Sequence, residues 1–341
     1  MTRYVEGWEG LLGVGIQTVS LSTAVNSSKY ITIKPPLDLK LREPGRSVIE
    51  DGIQKTPGSK ITSRGRRSIT GNIPFYFMPG EGGDLFLAHV FGNRNTVAGS
   101  VGVGYTHTMT MVLTAGDNPD YGMTIERFIG GGGTTLMADF VGMFINKLDI
   151  DIPEEGPVVL TADMLGRSVT TGGTVPTPTY GNTHVFEAWM KDLKIGATLG
   201  AVASVNVKSC KVSIDKKAKL VTDNLGSSQY PIGVTWGKPV VTIEFTQTLQ
   251  DSLTLYNYWL GETQNAITVT LTHDQLAGSA SGVYSLTLRF PKVEWLGEPP
   301  DLSGPQDIDV TYRVQAMLET TTYNYYAQAV LVNAITGAYT V

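Results

Sequence analysis

Residues 69–92 read "ITGNIPFYFMPGEGGDLFLAHVFG" and residues 237–261 read "GKPVVTIEFTQTLQDSLTLYNYWLG". Each opens with alternating apolar and polar residues, the period of a half-buried strand. Each then crosses a polar or Gly/Pro stretch into a run of helical spacing that closes on glycine. In the first, Gly83 or Asp84 can open the helix and Gly92 can end it, with Leu85, Ala88 and Phe91 on one face. In the second, Asp251 or Ser252 can cap the start and Gly261 follows the end, with Leu253, Tyr256 and Trp259 as the matching face. A shift of 168 carries Ile73, Phe75 and Phe77 onto Val241, Ile243 and Phe245, and Leu85 onto Leu253. Few letters agree, yet the order of events is the same.

Working outward, alternation dominates the chain: "QTVSLSTA", "YITIK", "THTMTMVLT" and "MFINKLDIDI" in the first half, "SCKVSI", "AITVTLTH", "DIDVTYRVQAML" and "YAQAVLVNA" in the second. Gly, Pro, Asn and Asp separate these runs, so the expected fold is mainly β and antiparallel. The two helices are too short to stand without a sheet beneath them. Further likenesses follow in order. "YGMTIER" (121–127) resembles "YSLTLRF" (284–290), and "DIDIPEEGPVVLTADML" resembles "VEWLGEPPDLSGPQDIDVTYRVQAM". The reading is an internal duplication: two tandem β-sandwich or barrel-like domains, each with one short helix packed on its sheet. They span residues 1–170 and 184–341, with a linker at 171–183 inside the Gly/Thr/Pro-rich stretch 166–183. The alternative is two β-rich halves that look alike by composition.

The 341 residues carry a net charge of −5, unevenly placed. Residues 34–67 hold nine Lys/Arg against four Asp/Glu, a balance of +5, which leaves −10 for the rest. A basic segment on an acidic body can seek phosphate or an acidic face of a neighbouring copy. This segment is also about twice the length at which a loop in a compact domain is usually functional. Its counterpart, 215–238, is shorter. Both loops are expected to reach neighbouring copies. Cys210 is the only cysteine, so an intrachain disulfide and a cysteine-built zinc site are excluded. "MTRYVEGWEG" lacks a signal-peptide core, and no run reaches the ~18 apolar residues of a membrane span, so a soluble protein made in a cytoplasm is expected.

A catalytic constellation is not legible. The four histidines, His89, His107, His184 and His273, lie in no metal-binding spacing; His89 is expected to be a surface or half-buried packing residue and His107 to face solvent. "GVG" at 13–15 and 102–104 and "GGGG" at 130–133 lack the frame of a phosphate loop and read as hairpin tips. Asp149/Asp151 and Asp307/Asp309 sit two apart on strands, as solvated charges on one face do. No catalytic, metal or cofactor residue is expected. The basic loop has no interleaved aromatics to stack bases, and an acidic chain disfavours tight nucleic-acid binding.

The opening "GWEGLLGVGIQT" (7–18), "YITIK" before a long charged loop, "RGRRSITGNIPFYF" and the short helix ending "VFG" resemble the start of tail tube proteins of long-tailed bacteriophages. "DIDIPEEGPVVLTADMLGR" (149–167) is similar to the closing strands of that family. The resemblance implies a structural subunit in the virion tail, a sandwich or small barrel with one helix and a long stacking loop. It implies rings stacked into a tube, with partners in the protein itself, other tail proteins, a tape-measure protein in the lumen, and double-stranded DNA passing without specific binding. Most of the family carries one tube domain and forms hexameric rings. Two domains per chain imply three copies per pseudo-hexamer. Lys40, Arg42, Arg46, Arg64, Arg66 and Arg67 are then the expected inter-ring contacts. The other function open to such a sequence is a two-domain β-sandwich binding module, for a carbohydrate or for decorating a capsid or tail.

Overall fold

The computed structural model describes residues 10–17, 22–27, 29–42, 47–48, 62–63, 67–92, 95–100, 103–112, 118–119, 122–131, 134–171, 184–222, 229–248, 254–278, 282–297 and 309–339. The protein is mainly β, and every strand pairing is antiparallel.

In the first half, β1 (Gly10–Ile16) pairs with β2 (Lys29–Ile31) on one side and β9 (Met123–Gly131) on the other. β9 pairs with the long β10 (Thr134–Ile152), β10 with β11 (Val159–Gly166), β11 with β6 (Ser68–Tyr76), and β6 with β3 (Asp38–Arg42). The chain between β2 and β3 also lies on β6: the Lys34 N–H donates to the Pro74 carbonyl at 2.9 Å and the Tyr76 N–H to that of Thr32 at 3.1 Å. One segment therefore leaves β1 and joins β6, and the sheet closes on itself.

The second half repeats this order. β14 (Val202–Val205) pairs with β13 (Lys191–Gly196), β13 with β19 (Asn265–Leu276), and β19 with the long β20 (Val283–Leu296). β20 pairs with β21 (Asp309–Ala316), β21 with β18 (Val240–Thr248), and β18 with β15 (Ser209–Asp215). By position in the row, β9 answers to β19 and β10 to β20. The likeness of "YGMTIER" to "YSLTLRF" thus joins strands that are not equivalent, because period-two alternation is shared by every half-buried strand. The strand–turn–strand likeness does join equivalent elements, β10 to β11 and β20 to β21.

Alternation places the core. Ile69, Ile73, Phe75 and Phe77 are fully buried along the first strand of the opening pair, and Val241, Ile243 and Phe245 along the second. Each buried Phe contributes about 2–3 kcal/mol in removed apolar area. α1 (Gly83–Phe91) runs as expected and ends at Gly92, whose φ of 94° suits glycine. All nine of its residues are buried. Its first turn presses on β2: a Cβ at Gly82 would lie 2.6 Å from Ile31. α2 (Thr254–Leu260) buries only Leu255, with Tyr258 and Trp259 half-buried and packed on the core. Of the expected face, Trp259 does pack on the core, Tyr256 gives way to Leu255 and Tyr258, and Leu253 and the capping candidates lie outside the described residues.

Other expectations are corrected too. Gly13 and Gly15 are inside β1 and not at a hairpin tip; a Cβ at Gly13 would lie 2.5 Å from Ser27 Cβ. Residues 103–104 do turn a hairpin, between β7 (Asn95–Ser100) and β8 (Gly104–Met111); Gly130 and Gly131 end β9, paired with Thr135 and Thr134 of β10, and 132–133 lie outside the described residues. Of "QTVSLSTA", Thr18–Leu21 lie outside the described residues, and the remainder is not strand. The long loops each carry a small ladder: β4 (Ser47–Val48) with β5 (Thr62–Ser63), and β16 (Lys219–Val221) with β17 (Gly233–Thr235).

Candidate assembly interface

The two halves meet edge to edge, twice. In the first seam, the C-terminal part of β10 pairs with β15, from Lys147 opposite Asp215 to Ile152 opposite Cys210. The inward residues Leu148, Ile150, Val212 and Ile214 are fully buried. The outward ones are charged: Lys147 Nζ lies 2.9 Å and Lys211 Nζ 3.8 Å from Asp149 Oδ2. Asp149 and Asp151 do share the outward face, as the sequence indicates. Cys210 is buried at the seam's end, and burial pushes its thiol up to about 12, so it stays protonated.

The loop after β15 folds back over the first half. The Lys216 N–H donates to the Asn146 carbonyl at 2.8 Å, and the Ala218 N–H to Asn146 Oδ1 at 2.9 Å. Trp236 packs its ring 5.8 Å from Phe144 on β10 and 6.3 Å from His89 on α1. Farther along, the Arg67 N–H donates to the Gln229 carbonyl at 2.8 Å, and Arg67 Nη1 to the Tyr230 hydroxyl at 3.4 Å. The described part of 215–238 therefore grips its own chain, where sequence reasoning placed it on another copy. Its neighbour is the first half.

In the second seam, β22 (Ala327–Asn333) pairs with β20 on one edge and β8 on the other. A buried polar cluster locks it. Asp84 Oδ2 accepts from the Gly80 N–H (2.6 Å), Asn333 Nδ2 (2.9 Å) and the Tyr339 hydroxyl (2.7 Å). Asn333 Nδ2 lies 2.7 Å from the Tyr339 oxygen, and Asn333 Oδ1 is 2.9 Å from His107 Nε2. Burial raises the Asp84 carboxyl to about 7, against the lowering effect of the hydrogen bonds and Lys29. Burial lowers His107 and favours the neutral ring. His107 was expected in solvent; it is fully buried, because it shares the inward face of β8 with Met109 and Met111 and packs against Tyr339, the rings 4.6 Å apart. His89 is likewise buried within α1.

Of the six basic residues singled out, Lys40 and Arg42 lie on β3 and Arg67 holds the 229–230 turn. Arg46, Arg64 and Arg66 lie outside the described residues. The fold brings Lys40 and Arg42 together on one strand and does not join Arg67 to them. The seam residues of β10, β15 and β22 escaped sequence reasoning, since an edge that pairs with its own chain reads like any other strand. Among the described residues, no group of three or more His, Cys, Asp or Glu is placed to hold a metal ion, and no helix is long and apolar enough to cross a membrane. A groove of about 570 Å³ on the second half is lined by Lys194, Thr268, Thr270, Arg289, Tyr323 and Tyr325. It holds no carboxylate pair or nucleophile–base pair.

Continuous sheet across two like halves, with charges outward along the seam, is the geometry of an edge-joining protein. The family model for phage tail tube proteins matches residues 7–316, and the chain belongs to that family. It is a structural component of the tail, working in assembly with itself and other tail parts. No match was found among curated proteins.

Proposed function

We propose that the chain builds the tail tube as stacked rings of three copies, each copy supplying two tube domains, 1–170 and 184–341. The supporting observation is the repeated strand order β2–β1–β9–β10–β11–β6–β3 and β14–β13–β19–β20–β21–β18–β15. Two like units joined by unlike edges form a heterologous interface, which generates a ring when its rotation closes. Six units in a circle then come from three chains. The hollow passes double-stranded DNA, and the tape-measure protein before it, without specific binding. The virion tail is its place of work, and the host cytoplasm its place of synthesis.

Rings stack through the basic arm. Arg46, Arg64 and Arg66 lie along it, Lys40 and Arg42 at its base and Arg67 at its return, with an acidic body to meet on the next ring. Negative-stain microscopy of the purified protein tests this: annuli and tubes with a central channel are expected. Dispersed single particles at every salt and protein concentration would count against it. Removing residues 43–66 is expected to leave rings that do not stack, and normal tubes from that deletion would reject the arm's role.

A further inference from the structure

Two buried carboxylates of the first half stand opposite each other without a cation between them. On β9, Glu126 has Gly13 of β1 as its partner on one side and Asp139 of β10 on the other. Residues directly opposite share one face of a sheet, so the two side chains meet across the β9–β10 pair. Glu126 is 3% exposed and Asp139 8%. Glu126 Oε2 and Asp139 Oδ1 are buried without a hydrogen-bond partner. The cations of neighbouring positions are turned elsewhere. Arg127 lies on the opposite face, its guanidinium 5.7 Å from the centre of the Phe140 ring, and Lys29 on β2 reaches the Gly80 carbonyl at 3.4 Å.

What lies over this face is oxygen. Segment 22–27 covers β1 there. It is pinned by the Val25 N–H, which donates to Thr124 Oγ1 at 3.1 Å, and by Gln17 Nε2, which donates to the Thr23 carbonyl at 2.7 Å. Glycine makes the room: a Cβ at Gly13 would lie 2.5 Å from Ser27 Oγ and 3.3 Å from Glu126 Oε2, so hydroxyl and carboxylate overhang the same Cα. Ser27 Oγ is also buried and without a partner. Two carboxylates and a hydroxyl, with no nitrogen or sulfur among them, are the donor set of a hard cation. Like charges directly opposite repel, and a buried carboxylate left uncompensated is costly. Burial, and then the charge of Glu126, raise the Asp139 carboxyl. A single proton would cancel one charge and leave the other buried, whereas a divalent ion cancels both.

We propose that Glu126, Asp139 and Ser27 bind a divalent cation, calcium in preference to magnesium, which fastens segment 22–27 to the sheet. Calcium accepts an irregular set of oxygens, with water filling the rest of its shell; magnesium gives up its waters reluctantly and demands near-octahedral geometry. The corresponding strands of the second half, β13, β19 and β20, set Lys194, Thr268 and Arg289 in one row, which repels a cation. One ion per chain is therefore expected. The inference does not depend on the ring proposal.

Calorimetric titration of the full chain with calcium chloride, after stripping with EDTA, tests it. A single site per chain is expected, together with a urea midpoint that rises when calcium is added. Glu126→Gln and Asp139→Asn should each weaken binding roughly tenfold or more. In metal-free buffer each should unfold at a urea midpoint no lower than that of the unmodified chain, since each removes the repulsion. Asp149→Asn, on the outward face of β10, should bind calcium as the unmodified chain does. No heat and no midpoint shift at millimolar calcium would overturn the site and leave the tail role untouched. Undiminished binding by the Glu126 and Asp139 variants, or loss in Asp149→Asn, would put the ion elsewhere and overturn it as well. Magnesium bound as tightly as calcium would overturn the stated preference.

Discussion

The two helices began from the same sequence pattern and ended in different surroundings. α1 is buried at all nine positions, enclosed by β8, β10 and β22 and by Trp236 from the far loop. α2 contacts β20 and leaves Leu260 in solvent. The difference lies in what the chain has available. The first half carries the inserted hairpin β7–β8 after its helix and receives β22 and the 215–238 loop from the second. The second half passes from α2 to β19 through four residues, 261–264, and its α2 keeps Leu260 exposed. The same kind of unit is thus complete in one place and incomplete in the other, as expected of a repeating assembly cut at one joint.

Substitutions can break that contrast, the largest first. Phe86 is fully buried on α1, its ring 4.9 Å from Phe75. Phe86→Ala should cost about 3–5 kcal/mol in urea unfolding. Leu260→Ala on α2 should cost less than ~0.5 kcal/mol in the unassembled chain. Equal costs would mean that the two helices are equally enclosed.

The buried Asp84 cluster gives a pH signature to the second seam. Its folded value of about 7 lies above the ordinary carboxylate value of 3.8, so the folded state holds the proton more tightly than the unfolded one. Its contribution to stability is greatest at low pH, falls between about pH 4 and 7, and is flat above, at a slope of roughly 1.4 kcal/mol per pH unit within that window. Asp84→Asn keeps an acceptor for Gly80, Asn333 and Tyr339 without the titration. The variant should gain on the unmodified chain as pH rises from 4.5 to 7.5, measured by denaturant midpoints. A constant difference across that range would remove Asp84 from the pH response.

Lys211→Ala should matter least. Its pairing with Asp149 is long and half in solvent, so less than ~1 kcal/mol is expected, and less still in high salt.

The sequence carried the fold class well. Period-two alternation and the strand–helix–glycine pattern located β6, α1, β18 and α2, because each carries its periodicity within its own residues. The interface was harder to read. β13 and β14 fall in "KDLKIGATLGAVASV", where Gly and small residues blur the alternation, and β7 buries none of its six residues fully. His107 and Asn333 are polar residues on apolar faces, beside Met109 and Met111 on β8 and Ala329 and Leu331 on β22, and only the approach of β22 to β8, over 200 positions away in sequence, supplies each with its buried partner. A pairing between distant edges leaves no local trace, and the basic residues drew attention to an arm whose described root, Arg67, serves the chain itself.

Mass of a single closed ring is the decisive quantity. Rings isolated at the onset of assembly and weighed by native mass spectrometry should come to about 110 kDa, three times the 36.7 kDa chain. A ring of six chains, near twice that mass, would show that the two halves do not divide the circle between them.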